Sequence, residues 1–170
     1  MKLPGPNLPQ VHLQAGDLLI TSKPQWVVTL LGSCVAVTMF SRRFPLAAIC
    51  HGMLPTPGHR GASAPHEPKP FRYISCVVPA MVERFRQAGL EPRDIEVKVF
   101  GGGNVIHMGG EPSNERWVGT ANVAAARLFL HHARLTIFAE RVGGDRGCKI
   151  LFNTGNGEVL HKLLSRGANK

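Results

Sequence analysis

The chain has 170 residues, 44% of them hydrophobic, which suffices for one well-buried core and leaves little room for a second. Twenty Lys and Arg against 11 Asp and Glu give a formal net charge of +9, which favours an acidic partner. The basic residues are nevertheless dispersed, and one Tyr and two Trp offer little to stack on bases, so nucleic acid is not the expected partner.

Residues 1–16, MKLPGPNLPQVHLQAG, read as an irregular lead-in, with prolines and no sustained apolar run of the kind a secretory signal needs. No later stretch approaches the roughly 18 to 20 apolar residues of a membrane span. A cytoplasmic protein without membrane insertion is therefore expected. Short apolar runs follow at 17–20 (DLLI), 26–31 (WVVTLL), 35–40 (VAVTMF) and 46–54 (LAAICHGML), and these read as strands separated by Gly, Pro and charged turns. The segment 55–71 holds five prolines and little that could enter a core, which predicts a long exposed loop.

From Ser75 the period changes. Val78, Met81, Val82, Phe85 and Ala88 share one helical face, Ser75 is placed to cap it, and Gly89 is placed to stop it. Ile95, Val97 and Val99 then alternate with charged residues as a strand that runs into Gly101-Gly102-Gly103. That triplet has neither the P-loop nor the Rossmann spacing, so it predicts a turn where backbones approach closely. A second helix is expected from about Thr120 to Ala133, with His131 and His132 as cations at its C-terminal end. The runs 135–140, 149–154 and 158–163 read as strands, the last two joined as a hairpin by Gly155-Asn156-Gly157. The sum is an α+β fold in which strands outnumber helices.

The run LLGSCVAVTMF is an ordinary buried strand but for Gly32, Ser33 and Cys34. A buried cysteine is usually inert packing, so a reactive one needs a base. His51 is the best placed, because it ends the next apolar run. If those two runs pair as an antiparallel hairpin through the turn SRRFP, Cys34 and His51 become cross-strand neighbours. Gly32 and Ser33 would admit substrate and free backbone N–H groups for an oxyanion. Thr29 carries a hydroxyl that could orient the imidazole, the third role in a triad. Cys50, next to His51, points to the opposite face and reads as core packing. The four cysteines form no CxxC pair, so neither a zinc ribbon nor a disulfide framework is indicated.

These residues resemble the CheD family of chemoreceptor glutamine deamidases. The resemblance rests on TLLGSCVAV at 29–37, CHGMLP at 50–55, KPFRY at 69–73, GGG at 101–103, VGTANV at 118–123 and AERVGGDRGCKILFNTGNGEVL at 139–160. It implies one deamidase domain over 17–170, and a layered α/β sandwich with mixed, mostly antiparallel sheets, similar to cytotoxic necrotizing factor deamidases. It also implies Cys34 as nucleophile, His51 as base, Thr29 as third catalytic residue, and no cofactor. The implied reaction converts receptor glutamines to glutamate with release of ammonia, and extends to hydrolysis of glutamate methyl esters. The implied partners are chemoreceptor cytoplasmic domains and CheC, a phosphatase of the response regulator CheY. The reading to set against it is a non-catalytic interaction module that binds CheC or receptor helices.

Overall fold

The computed structural model describes residues 7–58, 70–104 and 115–165. Among these, nine strands and two helices appear in the order β1 (Gln10–His12), β2 (Leu18–Thr21), β3 (Trp26–Leu31), β4 (Val35–Ser41), β5 (Leu46–Cys50), α1 (Ile74–Gln87), β6 (Glu96–Gly101), α2 (Glu115–His132), β7 (Ile137–Val142), β8 (Cys148–Asn153) and β9 (Val159–Leu163). The strands make a four-stranded sheet, β1-β3-β8-β9, and a five-stranded sheet, β2-β5-β4-β6-β7. Pairing is antiparallel except for β1 with β3 and β6 with β7. This is the mixed α+β architecture that the sequence predicts.

Strand alternation divides the interior into two cores. Val35, Val37 and Met39 of β4 join Ala48 and Cys50 of β5 against Val77, Val78, Met81 and Phe85 of α1 and Ala126 and Leu130 of α2. The intervening residues Ala36, Phe40, Ala47 and Ile49 meet Val27, Leu31, Ile150 and Phe152 of the other sheet. The layers are thus sheet, sheet and helices, with the five-stranded sheet in the middle. Covered on both faces, β4 and β5 read as continuous apolar runs.

The structure departs from the sequence reading at instructive places. The lead-in is not irregular throughout, because Gln10–His12 form β1, paired with Trp26–Val28. Ser75 does not cap α1. The N-cap is Tyr73, and the free N–H groups of Ile74 and Ser75 donate instead to the carbonyls of Leu54 and Pro55, at 2.8 and 3.0 Å. Tertiary carbonyls thereby do the work of a capping side chain. Gly89 does stop the helix, at φ +75°, a value open to glycine at little cost. The expected loop at 55–71 lies largely outside the described residues, with Pro70–Arg72 forming a short 3-10 turn before α1.

Helix α2 begins at Glu115, earlier than expected, and continues through Gly119. A Cβ at Gly119 would lie 2.7 Å from the carbonyl oxygen of Gly102. The helix therefore packs directly on the glycine turn after β6, and only glycine allows that approach.

Candidate active site

Antiparallel pairing of β4 with β5 places Thr38 opposite Ile49 and continues to a two-way hydrogen-bonded bridge between Val35 and Gly52, at 2.9 and 2.8 Å. Val35 and Gly52 face the helices, where a Cβ at Gly52 would run into Ile74. Cys34 and His51, one residue before each, both face the other sheet as diagonal neighbours, about 7 Å apart at the backbone by strand geometry. The hairpin inferred from sequence brings the two together on one face. Their side chains are not hydrogen-bonded to one another in this structure, a relation that commonly tightens when substrate binds.

Thr29 arrives from the four-stranded sheet, fully enclosed. Its Oγ1 lies 2.8 Å from His51 Nδ1 and 2.9 Å from the carbonyl oxygen of Leu13, to which it donates. A carbonyl can only accept, so the single hydroxyl proton is committed there. The Thr29 oxygen then accepts from Nδ1–H, which leaves the Nε2 lone pair free. The backbone of His51 is pinned as well, its N–H donating to Asp17 O at 3.0 Å and its carbonyl accepting from Gly16 N–H at 2.8 Å. Residues 13–17 therefore cradle the histidine, a role that sequence reading did not give them.

Burial pushes the His51 imidazole below its ordinary value, opposed by the charge of Asp17 and the Leu13 carbonyl. Burial pushes the Cys34 thiol above its ordinary value, partly offset by its own backbone N–H. Both shifts favour a neutral thiol beside a neutral imidazole over a thiolate–imidazolium pair. Alkylation of Cys34 by iodoacetamide should accordingly be slow at neutral pH and rise with one inflection above the ordinary thiol value of about 8.5. A reactive plateau extending below about pH 6.5 would instead reveal a resting ion pair. Cys50 is fully buried in the helix-facing core, and its thiol is pushed up to about 12 by burial.

The turn that carries Cys34 is held by its carbonyls. Gly103 N–H donates to Gly32 O at 2.8 Å, and Gly102 N–H donates to Cys34 O at 2.7 Å. Gly101 and Gly102 have φ of +97° and +64°, and a Cβ at Gly101 would collide with the Cys34 carbonyl. The glycine triplet thus serves the close backbone approach its composition predicts. The third carbonyl, that of Ser33, accepts from Nδ2 of Asn122 at 3.0 Å, and the same nitrogen donates to Met53 O at 2.8 Å. Asn122 was not singled out by sequence reading. The available signal was an asparagine inside an otherwise strong helix, where its propensity is poor.

A concavity of about 280 Å³ is lined by Thr29 and His51 with His12, Gln14, Leu30 and Lys149. A larger one, about 720 Å³, lies around Phe40, Arg42, Arg93, Arg134 and Phe138 at the opposite end of β4 from Cys34. The smaller meets the imidazole and its hydroxyl partner, and Cys34 is not among its lining residues. Among the described residues no cluster of three or more His, Cys, Asp or Glu is placed to hold a metal ion.

Residues 53–163 match the sequence family described as CheD chemotactic sensory transduction. The chain belongs to the CheD family. The match begins two residues after His51, but relatives align across the whole site. A probable chemoreceptor glutamine deamidase CheD of Oleidesulfovibrio alaskensis is 41% identical over 168 residues, covering 96% of this chain and 77% of that protein. A second, CheD 2 of Geobacter sulfurreducens, is 41% identical over 161 residues, covering 95% of this chain and 94% of its own length. Among solved structures, the hypothetical protein YfiH of Bacillus licheniformis superposes with a TM-score of 0.45 at 17% identity, over 73% of this chain and 49% of that one. Among the described residues of this CheD chain, no helix is long and apolar enough to cross a membrane.

Proposed function

We propose that this CheD chain hydrolyses the side-chain amide of glutamines in the cytoplasmic domains of chemoreceptors, with Cys34 as nucleophile and His51 as general base and acid. The observation that carries the reading is the Leu13–Thr29–His51 chain of hydrogen bonds, which leaves the Nε2 lone pair free on a histidine that shares its sheet face with Cys34. The relatives' names supply the substrate class.

The steps balance without a cofactor. His51 Nε2 takes the thiol proton as Cys34 Sγ bonds to the γ-carboxamide carbon, and the carbonyl electron pair moves onto oxygen. Backbone N–H groups of the Gly32–Ser33–Cys34 turn receive that oxyanion. Its collapse breaks the C–N bond while His51 protonates the departing nitrogen, which leaves as ammonia. Water, deprotonated by His51, then attacks the thioester. The C–S bond breaks, glutamate is released, and the thiolate recovers its proton from the imidazolium. A glutamate methyl ester would follow the same course with methanol as the leaving group.

The net charge of +9 supports an acidic receptor surface as the docking face. The same reading includes CheC as a binding partner, on the family resemblance alone, and a cytoplasmic location, where those receptor domains lie. Incubation of a purified receptor cytoplasmic fragment with the protein should add about 1 Da per converted glutamine and release one ammonia for each, as amide hydrolysis requires. A receptor fragment that binds and keeps its mass would favour the non-catalytic interaction module.

A further inference from the structure

We infer that Asn122 is a positioning residue that aims the Cys34 N–H at the reacting carbonyl and sets the nucleophile turn against the histidine strand. The inference rests on the proposed acyl-transfer reading of the site and concerns a residue on α2, outside the Cys34, His51 and Thr29 set.

Three of its features point the same way. Asn122 is completely enclosed, and its one amide nitrogen bridges the Ser33 carbonyl, immediately before the nucleophile, and the Met53 carbonyl, two residues after His51. It therefore ties the two halves of the site with a single planar group. Its Oδ1 is buried with no hydrogen-bond partner among the described residues. A buried orphan acceptor is unfavourable, so an asparagine here is kept for its donors and not for its oxygen.

The third feature is the geometry of the peptide unit. Among the described residues no peptide bond is cis, so the carbonyl of Ser33 and the N–H of Cys34 point in opposite directions across one plane. Holding the carbonyl toward α2 turns the N–H away from it, toward the face of Cys34 and His51. The flanking Gly32 and Cys34 carbonyls are held likewise by Gly103 and Gly102, so every carbonyl of the turn is engaged. Among the described residues the N–H of Cys34 meets only its own sulfur, and that of Ser33 has no partner. Oxyanion stabilisation depends on donors fixed before the reaction, and here the fixing is done through the opposite end of each peptide.

The test separates a step that develops an oxyanion from one that does not. Acylation of Cys34 by p-nitrophenyl acetate passes through a tetrahedral oxyanion, whereas alkylation by iodoacetamide is a direct displacement at carbon. Both are read on the full-length protein without a receptor, so the result is independent of whether receptor glutamines are the substrate. In Asn122→Ala the acylation rate should fall about 10²-fold, the scale of losing one oxyanion donor, while alkylation stays within about twofold of wild type. Asn122→Leu, which keeps the volume and removes both donors, should give the same split if the alanine variant fails to fold. A parallel fall of both rates would make Asn122 merely structural, and unchanged acylation would remove it from the site; either overturns the proposal. Loss of receptor deamidation in wild type, with the split intact, would overturn the substrate and leave the positioning role standing.

Discussion

Cys34→Ala should leave a receptor fragment at its starting mass, with deamidation lower by about 10⁴-fold or more, because the atom that forms the covalent bond is gone. His51→Ala should fall by at least about 10²-fold, the usual contribution of a positioned base. The direction of the Cys34 shift explains why the second loss is severe. Burial holds the Cys34 thiol protonated, so without His51 very little thiolate exists at neutral pH. Cys50→Ala is the control, since Cys50 is packed among helix-facing residues with its thiol pushed up to about 12, and deamidation should persist. Mass spectrometry of the fragment and an ammonia assay read all three variants. Activity surviving in Cys34→Ala would remove the cysteine mechanism altogether, and activity lost only in Cys50→Ala would move the nucleophile.

Thr29→Val should lower kcat/KM by about 10²-fold, and Thr29→Ser should retain most of it. Valine keeps the shape of the buried side chain and deletes the oxygen that receives His51 Nδ1–H at 2.8 Å. The ring is then free to turn or to present the wrong tautomer. The pH profile distinguishes this from a packing defect. An acceptor on Nδ1 favours the imidazolium, so its loss lowers the imidazole value further, and the acid limb of kcat/KM should move to lower pH. An unmoved acid limb with a reduced rate would mean that Thr29 only packs, and a serine variant as impaired as valine would show that the hydroxyl is not what matters. The profile in wild type should itself begin below the ordinary imidazole value of about 6.5, because burial of His51 outweighs the opposing charge of Asp17.

Local pattern determined much of this protein. Alternating and continuous apolar runs gave β3, β4, β6 and β8 nearly to the residue, since the pleat repeats every two positions and burial on both faces leaves an unbroken apolar stretch. The short turn between β4 and β5 made their pairing readable, and with it the meeting of Cys34 and His51 on one face. Thr29 was legible only as a candidate, because the register that brings it to the imidazole depends on how one sheet packs over the other.

Tertiary structure decided what no local pattern encodes. Leu13 lies in a stretch that looks irregular, yet its carbonyl sets the tautomer of a histidine 38 positions later. Glycine is a poor helix former, yet Gly119 sits inside α2 because the Gly102 carbonyl leaves no room for a Cβ. Ser75 reads as a cap, but the carbonyls of Leu54 and Pro55 already occupy that role. Asn122 reads as a poor helix former, and its place is fixed by two carbonyls 89 and 69 residues away. In each case groups distant in the chain meet once the layers close. A side chain's own propensity reports only the cost of its local conformation, and here long-range hydrogen bonds and close packing outweigh it.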